Sequence, residues 1–281
     1  MKDVLRRAAS LVFGKPGEIR LLVRADDMGV ALGVNDACVR ACMEGIVRSV
    51  EVLVPGPWLL DAVQRLRAHP EIDVGVHLCL TSEWERVKWR PLTVAPSLVD
   101  RDGYFYPASR QLEEFPPGTG LYDANPKPEE IERELRAQIE LLRRHVPRLS
   151  HASAHMGAAV ATPTARAITE TLCAEFSLRL EAQGVSEILG WRSAVKTMEQ
   201  TASDLAAAIL RLQPGTHLLI EHPGVDTEEM RAMGHRGRET EFLTRACATY
   251  ALTSGKVRQA VKDRDVTLIN HLDLPAPLVP Q

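Results

Sequence analysis

Two aspartates stand side by side in LLVRADDMGV, residues 21–30, where an apolar run gives out. Adjacent carboxylates repel, and nearby core packing penalises both by desolvation. A pair placed there needs full solvation or a compensating positive charge. Other apolar runs end in residues of the same chemical kind. IDVGVHLCL carries His77 and runs on into Thr81-Ser82-Glu83-Trp84, and LSHASAHMG carries His151 and His155. THLLIEHPG ends in Glu221, His222 and a Pro-Gly turn, and VTLINHL closes on Asn270 and His271. One carboxylate with two imidazoles suits a divalent cation that keeps positions open for water and substrate: zinc, or iron, cobalt, nickel or manganese. One aspartate would then coordinate the cation, whose charge offsets the repulsion, while its neighbour stays free to accept a proton.

These residues gain meaning from the elements that carry them. Strand-like runs at 19–26, 47–56, 72–80, 149–157, 216–224 and 266–272 alternate with helical patterns at 34–45, 58–68, 128–146, 162–176, 202–212, 239–250 and 255–262. That alternation predicts an α/β fold, an irregular TIM-like barrel of six to seven mostly parallel strands, with an open doubly wound sheet as the competitor. In such folds chemistry gathers at the carboxyl ends of the strands, where the acidic and imidazole residues fall. On a strand, His151, Ser153 and His155 share one face, and the later histidine lies nearer the end where a metal belongs. Residues 81–127 break the rhythm. Trp84, Trp89, Tyr104, Phe105 and Tyr106 give this stretch apolar anchors, so it is expected to be an ordered excursion from one domain spanning 1–281.

Composition narrows the classes. The chain has 281 residues, a net charge of −3 and 25% charged residues, which leaves no basic footprint for nucleic acid. Five cysteines form no CxxC pair, and their odd number argues against a disulfide framework. The N-terminal MKDVLRRAASLVFGKPGE reads as an amphipathic helix ended by Gly14 and Pro16-Gly17, too short to span a membrane, and a cytoplasmic location is expected. There is no GxGxxG after the first strand and no GxxxxGK[ST], which weighs against nucleotide chemistry.

Taken in order, ADDMG (25–29), GVHLCLTSEW (75–84), HASAH (151–155), EHPG (221–224) and RETEFL (238–243) are similar to motifs of the YdjC-like carbohydrate deacetylases. The resemblance implies a distorted TIM-like barrel that removes N-acetyl groups from amino sugars or acetylated oligosaccharides with a divalent metal, zinc first, magnesium or another ion as substitutes. It implies Asp27 and His77 as ligands, a third ligand from HASAH (His155, or His151 in its place), Asp26 as general base and His222 as general acid or oxyanion stabiliser. Glu83, Trp84 and Arg238 would contact substrate, and association into a homo-oligomer is suggested. Ser153 stands where the family pattern has aspartate, and Met156-Gly157 replace further histidines. Competing readings are a metal-dependent lyase or isomerase on the same barrel and a non-catalytic carbohydrate-binding protein.

Overall fold

The computed structural model describes residues 17–180, 185–188 and 197–274. The expected N-terminal helix lies outside the described residues. Eight strands form one sheet: β1 (Ile19–Met28), β2 (Ser49–Val52), β3 (Asp73–Leu78), β4 (Leu149–Ala154), β5 (Arg179–Leu180), β6 (Ser186–Glu187), β7 (Gly215–Glu221) and β8 (Val266–Ile269). Their order is β5-β4-β3-β2-β1-β7-β6, with β8 pairing β1, and every pairing is parallel. The sheet curls as a half-barrel with helices around it. The count passes the expected six to seven because of the two-residue β5 and β6, too short to leave a periodic signal.

All ten residues of β1 are buried. Leu21, Val23 and Ala25 belong to the main apolar core together with Val50, Val52, Val74, Val76 and Leu78. Alternation turns the residues between them to the opposite face. That inner face is polar and buried: Arg24, Asp26, Ser49, Glu51, Asp73, His77, His151 and Ser153. A buried lining of this kind needs partners within it: Arg24 binds Asp26 and Ser49 binds Asp73, whereas both Glu51 oxygens have no hydrogen-bond partner.

The helices are α1 (Leu32–Glu44), α2 (Leu59–Ala68), α3 (Pro128–His145), α4 (Pro163–Glu175), α5 (Met198–Leu210), α6 (Glu228–Arg231), α7 (Glu241–Thr253) and α8 (Gly255–Asp263). Helix α5 starts earlier than the apolar pattern predicts because Thr197 and Gln200 form a capping box. The short α6 was not expected. Strand β4 ends at Ala154 rather than 157, because Met156 (φ 48°) and Gly157 (φ 67°) turn the chain into a 3-10 segment, His155–Val160.

Residues 81–127 carry two short 3-10 segments, Pro96–Leu98 and Tyr122–Ala124, and one face of α3 holds the part around residues 92–97. The Glu134 carboxylate accepts the amides of Leu92 and Thr93 and the Thr93 hydroxyl, at 2.7–3.1 Å. Glu130 takes the amide and hydroxyl of Ser97, both at 2.8 Å, and Gln138 exchanges two hydrogen bonds with the Cys79 backbone. The aromatics serve mainly as anchors: Phe105 is fully buried, and the Trp89 indole donates to the Thr81 carbonyl at 2.8 Å.

Candidate functional site

In a regular strand Asp26 and Asp27 would face opposite ways. The backbone departs from regularity at this point: Asp27 has φ 70°, in the left-handed region, and the β1–β2 register shifts between Ala25 and Met28. This costs conformational energy, about 1–3 kcal/mol for such a residue, and it turns both carboxylates toward the same side.

Asp27 Oδ1 lies 3.4 Å from His77 Nε2 and 3.2 Å from His155 Nδ1. The three residues are buried, and their ligand-type atoms lie within 4.8 Å of one another. Each has its remaining polar atom engaged. His77 Nδ1 meets Ser153 Oγ at 2.6 Å, and His155 Nε2 meets Glu83 Oε2 at 3.0 Å. Arg245 donates to Asp27 Oδ2 at 2.7 Å. Hydrogen bonds of this kind behind a ligand fix ring orientation and tautomer.

Whether these residues fit a divalent cation is decided by Asp27 Oδ1, which is buried and has no hydrogen-bond partner. An ionised Glu83 can only accept, so His155 donates through Nε2 and turns its Nδ1 lone pair toward the Asp27 oxygen. A lone pair and a carboxylate oxygen facing each other in a buried site call for a cation between them. The donor set fits one.

Asp26 stands apart from this trio. Arg24, two residues back on the same face, grips both its oxygens at 2.7 and 2.9 Å. Burial raises the Asp26 pKa, but Arg24, with His77 and His222 acting in the same direction, more than offsets it, and the result is about 2. The nearest imidazole nitrogen, His77 Nε2, is 4.0 Å away. His222 is exposed at the end of β7, and the pairing Ala25↔Glu221 sets it beside Asp26. Protein around its ring lowers the His222 pKa, with Asp27 and Asp26 pulling the other way. The Pro-Gly turn after His222 is required sterically: a Cβ at Gly224 would sit 2.8 Å from Met230 Cε and 3.0 Å from Arg245 Cβ.

The structure thus brings together Asp26, Asp27, His77, His155 and Glu83, with His222 beside Asp26. Trp84 lies alongside, 4% exposed, between the Arg245 guanidinium (5.6 Å) and the His235 ring (5.7 Å), so little of its surface is free. His151 does not join them. It faces inward as expected, but it pairs with Gly75, two residues before His77, which is roughly 7 Å deeper at strand spacing. There Nε2 lies 2.9 Å from Glu51 Oε1, and burial takes the His151 pKa down to about 3. Arg238 also stays away, its side chain 64% exposed and 3.6 Å from Glu241. The arginine that reaches the site is Arg245, on α7. Sequence reasoning missed Arg245, Arg24 and Glu51; of these only Arg24 left a signal, its i, i+2 spacing to Asp26.

Fold and cluster together define a parallel α/β barrel-type protein with an Asp–His–His group at the carboxyl ends of its strands. A model of the YdjC-like protein family matches residues 20–263, and the chain belongs to that family. A carbohydrate deacetylase of Thermus thermophilus is 27% identical over 93% of this chain and 94% of its own. One from Vibrio vulnificus is 34% identical over 137 residues, 49% of this chain, so the match takes in about half (48%) of that relative's length. Among solved structures, an Enterococcus faecalis protein named for cellobiose-phosphate cleavage superposes with a TM-score of 0.71 at 20% identity. It covers 91% of this chain and 98% of its own, a likeness of fold. Among the described residues no helix is long and apolar enough to cross a membrane.

Proposed function

We propose that this chain is a divalent-metal-dependent hydrolase that removes N-acetyl groups from an amino sugar or acetylated oligosaccharide. The observation that carries the reading is the unpartnered Asp27 Oδ1 set between two imidazole nitrogens, with an ionised Asp26 next to it. The relatives named as carbohydrate deacetylases support the substrate class.

Asp27, His77 and His155 would hold the cation, which polarises an amide carbonyl and acidifies water. Asp26, kept ionised and oriented by Arg24, accepts the proton of the attacking water. His222, beside Asp26 at the open edge, hydrogen-bonds the carbonyl oxygen as charge builds there, and the proton taken up by Asp26 passes through its ring to the leaving amine. Ser153, Glu83 and Arg245 hold the ligand residues in place. A surface cavity of about 520 Å³, lined in part by Glu85, Gln111, Phe115 and Arg236, gives further sugar units a place beyond Trp84. Zinc is the proposed native ion, the cytoplasm the proposed location and a homo-oligomer the proposed assembly.

The test is acetate release from a panel of N-acetylated mono- and oligosaccharides by metal-stripped protein, before and after adding zinc, cobalt or magnesium. Release that appears only with metal, and falls by roughly 10²–10⁴ in Asp26→Asn while bound metal stays constant, is expected. Release that chelation leaves intact, or no acetate from any substrate with any ion, overturns the reading.

A further inference from the structure

Beneath the Asp27 cluster, deeper in the curled sheet, lies a second group of the same composition. Glu51 on β2, His151 on β4 and His271, just past β8, offer ligand-type atoms within 4.8 Å of one another. Their exposures are 0%, 0% and 1%. Both Glu51 oxygens and the Nε2 atoms of both histidines lack a hydrogen-bond partner.

The protons can be assigned from the neighbours. Asp73 accepts from Ser150 Oγ at 2.5 Å, from Ser49 Oγ at 2.7 Å and from the His271 amide at 3.1 Å. A carboxylate with three donors is ionised and donates nothing back, so each serine spends its only proton on Asp73. The same hydroxyl oxygens meet the imidazoles, Ser150 with His151 Nδ1 at 2.6 Å and Ser49 with His271 Nδ1 at 2.9 Å. There the serines must accept. Both histidines therefore carry their proton on Nδ1, and both Nε2 lone pairs are bare.

The rings stack with centroids 3.3 Å apart and 12° between planes. Two lone pairs and a carboxylate then share one dry pocket with no donor of their own. Arg24 offers an ion pair but no hydrogen bond: Nε is 3.7 Å from Glu51 Oε1, while its short hydrogen bonds go to Asp26. The pocket is also cleared by design of the strand beside it. A Cβ at Gly75 would lie 2.3 Å from His151 Nε2, so any side chain there would strike the ring.

We propose that Glu51, His151 and His271 hold a second divalent cation of the zinc type, with Ser49, Ser150 and Asp73 fixing the tautomers behind it. Two neutral imidazoles and one carboxylate, each imidazole backed by a hydroxyl–carboxylate pair, match the donors and outer partners such an ion takes. The site has no open side. It ties β2 and β4 to the chain after β8, where, among the described residues, no pairing closes β5 onto β6. The cation would be structural. The rival occupant is a single proton on Glu51 shared with one Nε2.

Zinc content decides between them, measured on the full chain after zinc saturation and desalting. The proposal expects about two zinc ions per chain in the wild type, about one in Asp27→Asn, about one in Glu51→Gln and none in the double variant. Loss of all zinc in Asp27→Asn from a wild type that holds about one ion overturns the interior site and leaves the mouth site standing. A wild type with about one ion that Asp27→Asn keeps and Glu51→Gln loses altogether sinks the mouth site and keeps the interior one. Asp27→Asn leaves every interior ligand in place, so its stoichiometry decides even where Glu51→Gln does not fold.

Discussion

The two carboxylate–imidazole groups differ less in composition than in where the chain places them. At the mouth, Asp27 and His155 sit where strands are giving way, one on a left-handed residue and the other on a 3-10 turn. Their partners come from loops and from α7, and exposed His222 borders the group. In the interior, Glu51 and His151 lie within strands, and the outer partners Ser49, Asp73 and Ser150 belong to those strands or their neighbours. The same donors therefore yield an open site at a strand end and a closed one within the sheet. An open position is what catalysis needs, and closure is what a structural ion needs.

The contrast can be broken most sharply at its two acidic residues. Asp26→Asn should cost roughly 10²–10⁴ in acetate release without changing zinc content, whereas Glu51→Gln should lose zinc and keep release within about tenfold. Equal loss of activity in both would erase the distinction. Next in size, Ser153→Ala should weaken metal retention at the mouth by about 10–100-fold, read by competition with a chelator, and Ser153→Asp should restore it. Unchanged competition in Ser153→Ala would show that the serine does not tune His77. Gly75→Ala should act on the interior alone, lowering stability by about 1–3 kcal/mol in thermal unfolding through displacement of His151. A mouth site that empties in this variant would mean the two layers are not separable.

The smallest effect lies outside both groups and serves as their control. Burial raises the Glu130 pKa, but its hydrogen bonds from Ser97 lower it further, to below the ordinary glutamate value. A folded-state pKa below the unfolded one means the bond stabilises above the unfolded value and is lost as pH falls through the folded one. Protection of the Ser97 amide against exchange, taken relative to its intrinsic rate at each pH, should therefore fall on the acid side. Glu130→Gln should flatten that dependence and leave zinc content untouched.

Much of the mouth was legible because its residues end apolar runs, which in parallel α/β folds mark one face of the molecule. Asp26, Asp27, His77, His155 and His222 were readable for that reason. Arg245 was not, since it meets Asp27 across 218 residues and sits in a helix pattern that names no partner. Arg238 carried the motif similarity but points to solvent, seven residues short of the arginine that reaches in. Face was predictable for His151 and depth was not, because period-two alternation says which side a residue takes and nothing about its level along the barrel. Glu51 stayed hidden inside VRSVEVLVPG, where a lone acid among valines reads as an exposed position. The fold class followed from alternation; the two-residue strands, α6 and the early end of β4 depended on local turns that leave little periodic trace.

The pinning of residues 81–127 along α3 has one more consequence. A free excursion of that length would be ordered only at the entropic cost of closing a single long loop. Clamped at Leu92, Thr93 and Ser97 by one helix face, and tied to itself by backbone hydrogen bonds from Ser82 to Tyr106 and from Leu121 to Ala108, it is divided into shorter spans, each closed separately. Each span can then change length or composition while its neighbours stay docked. The excursion is thereby divided into panels, one hung on α3 and the others closed on themselves, and variation in one panel does not require rebuilding the sheet beneath it.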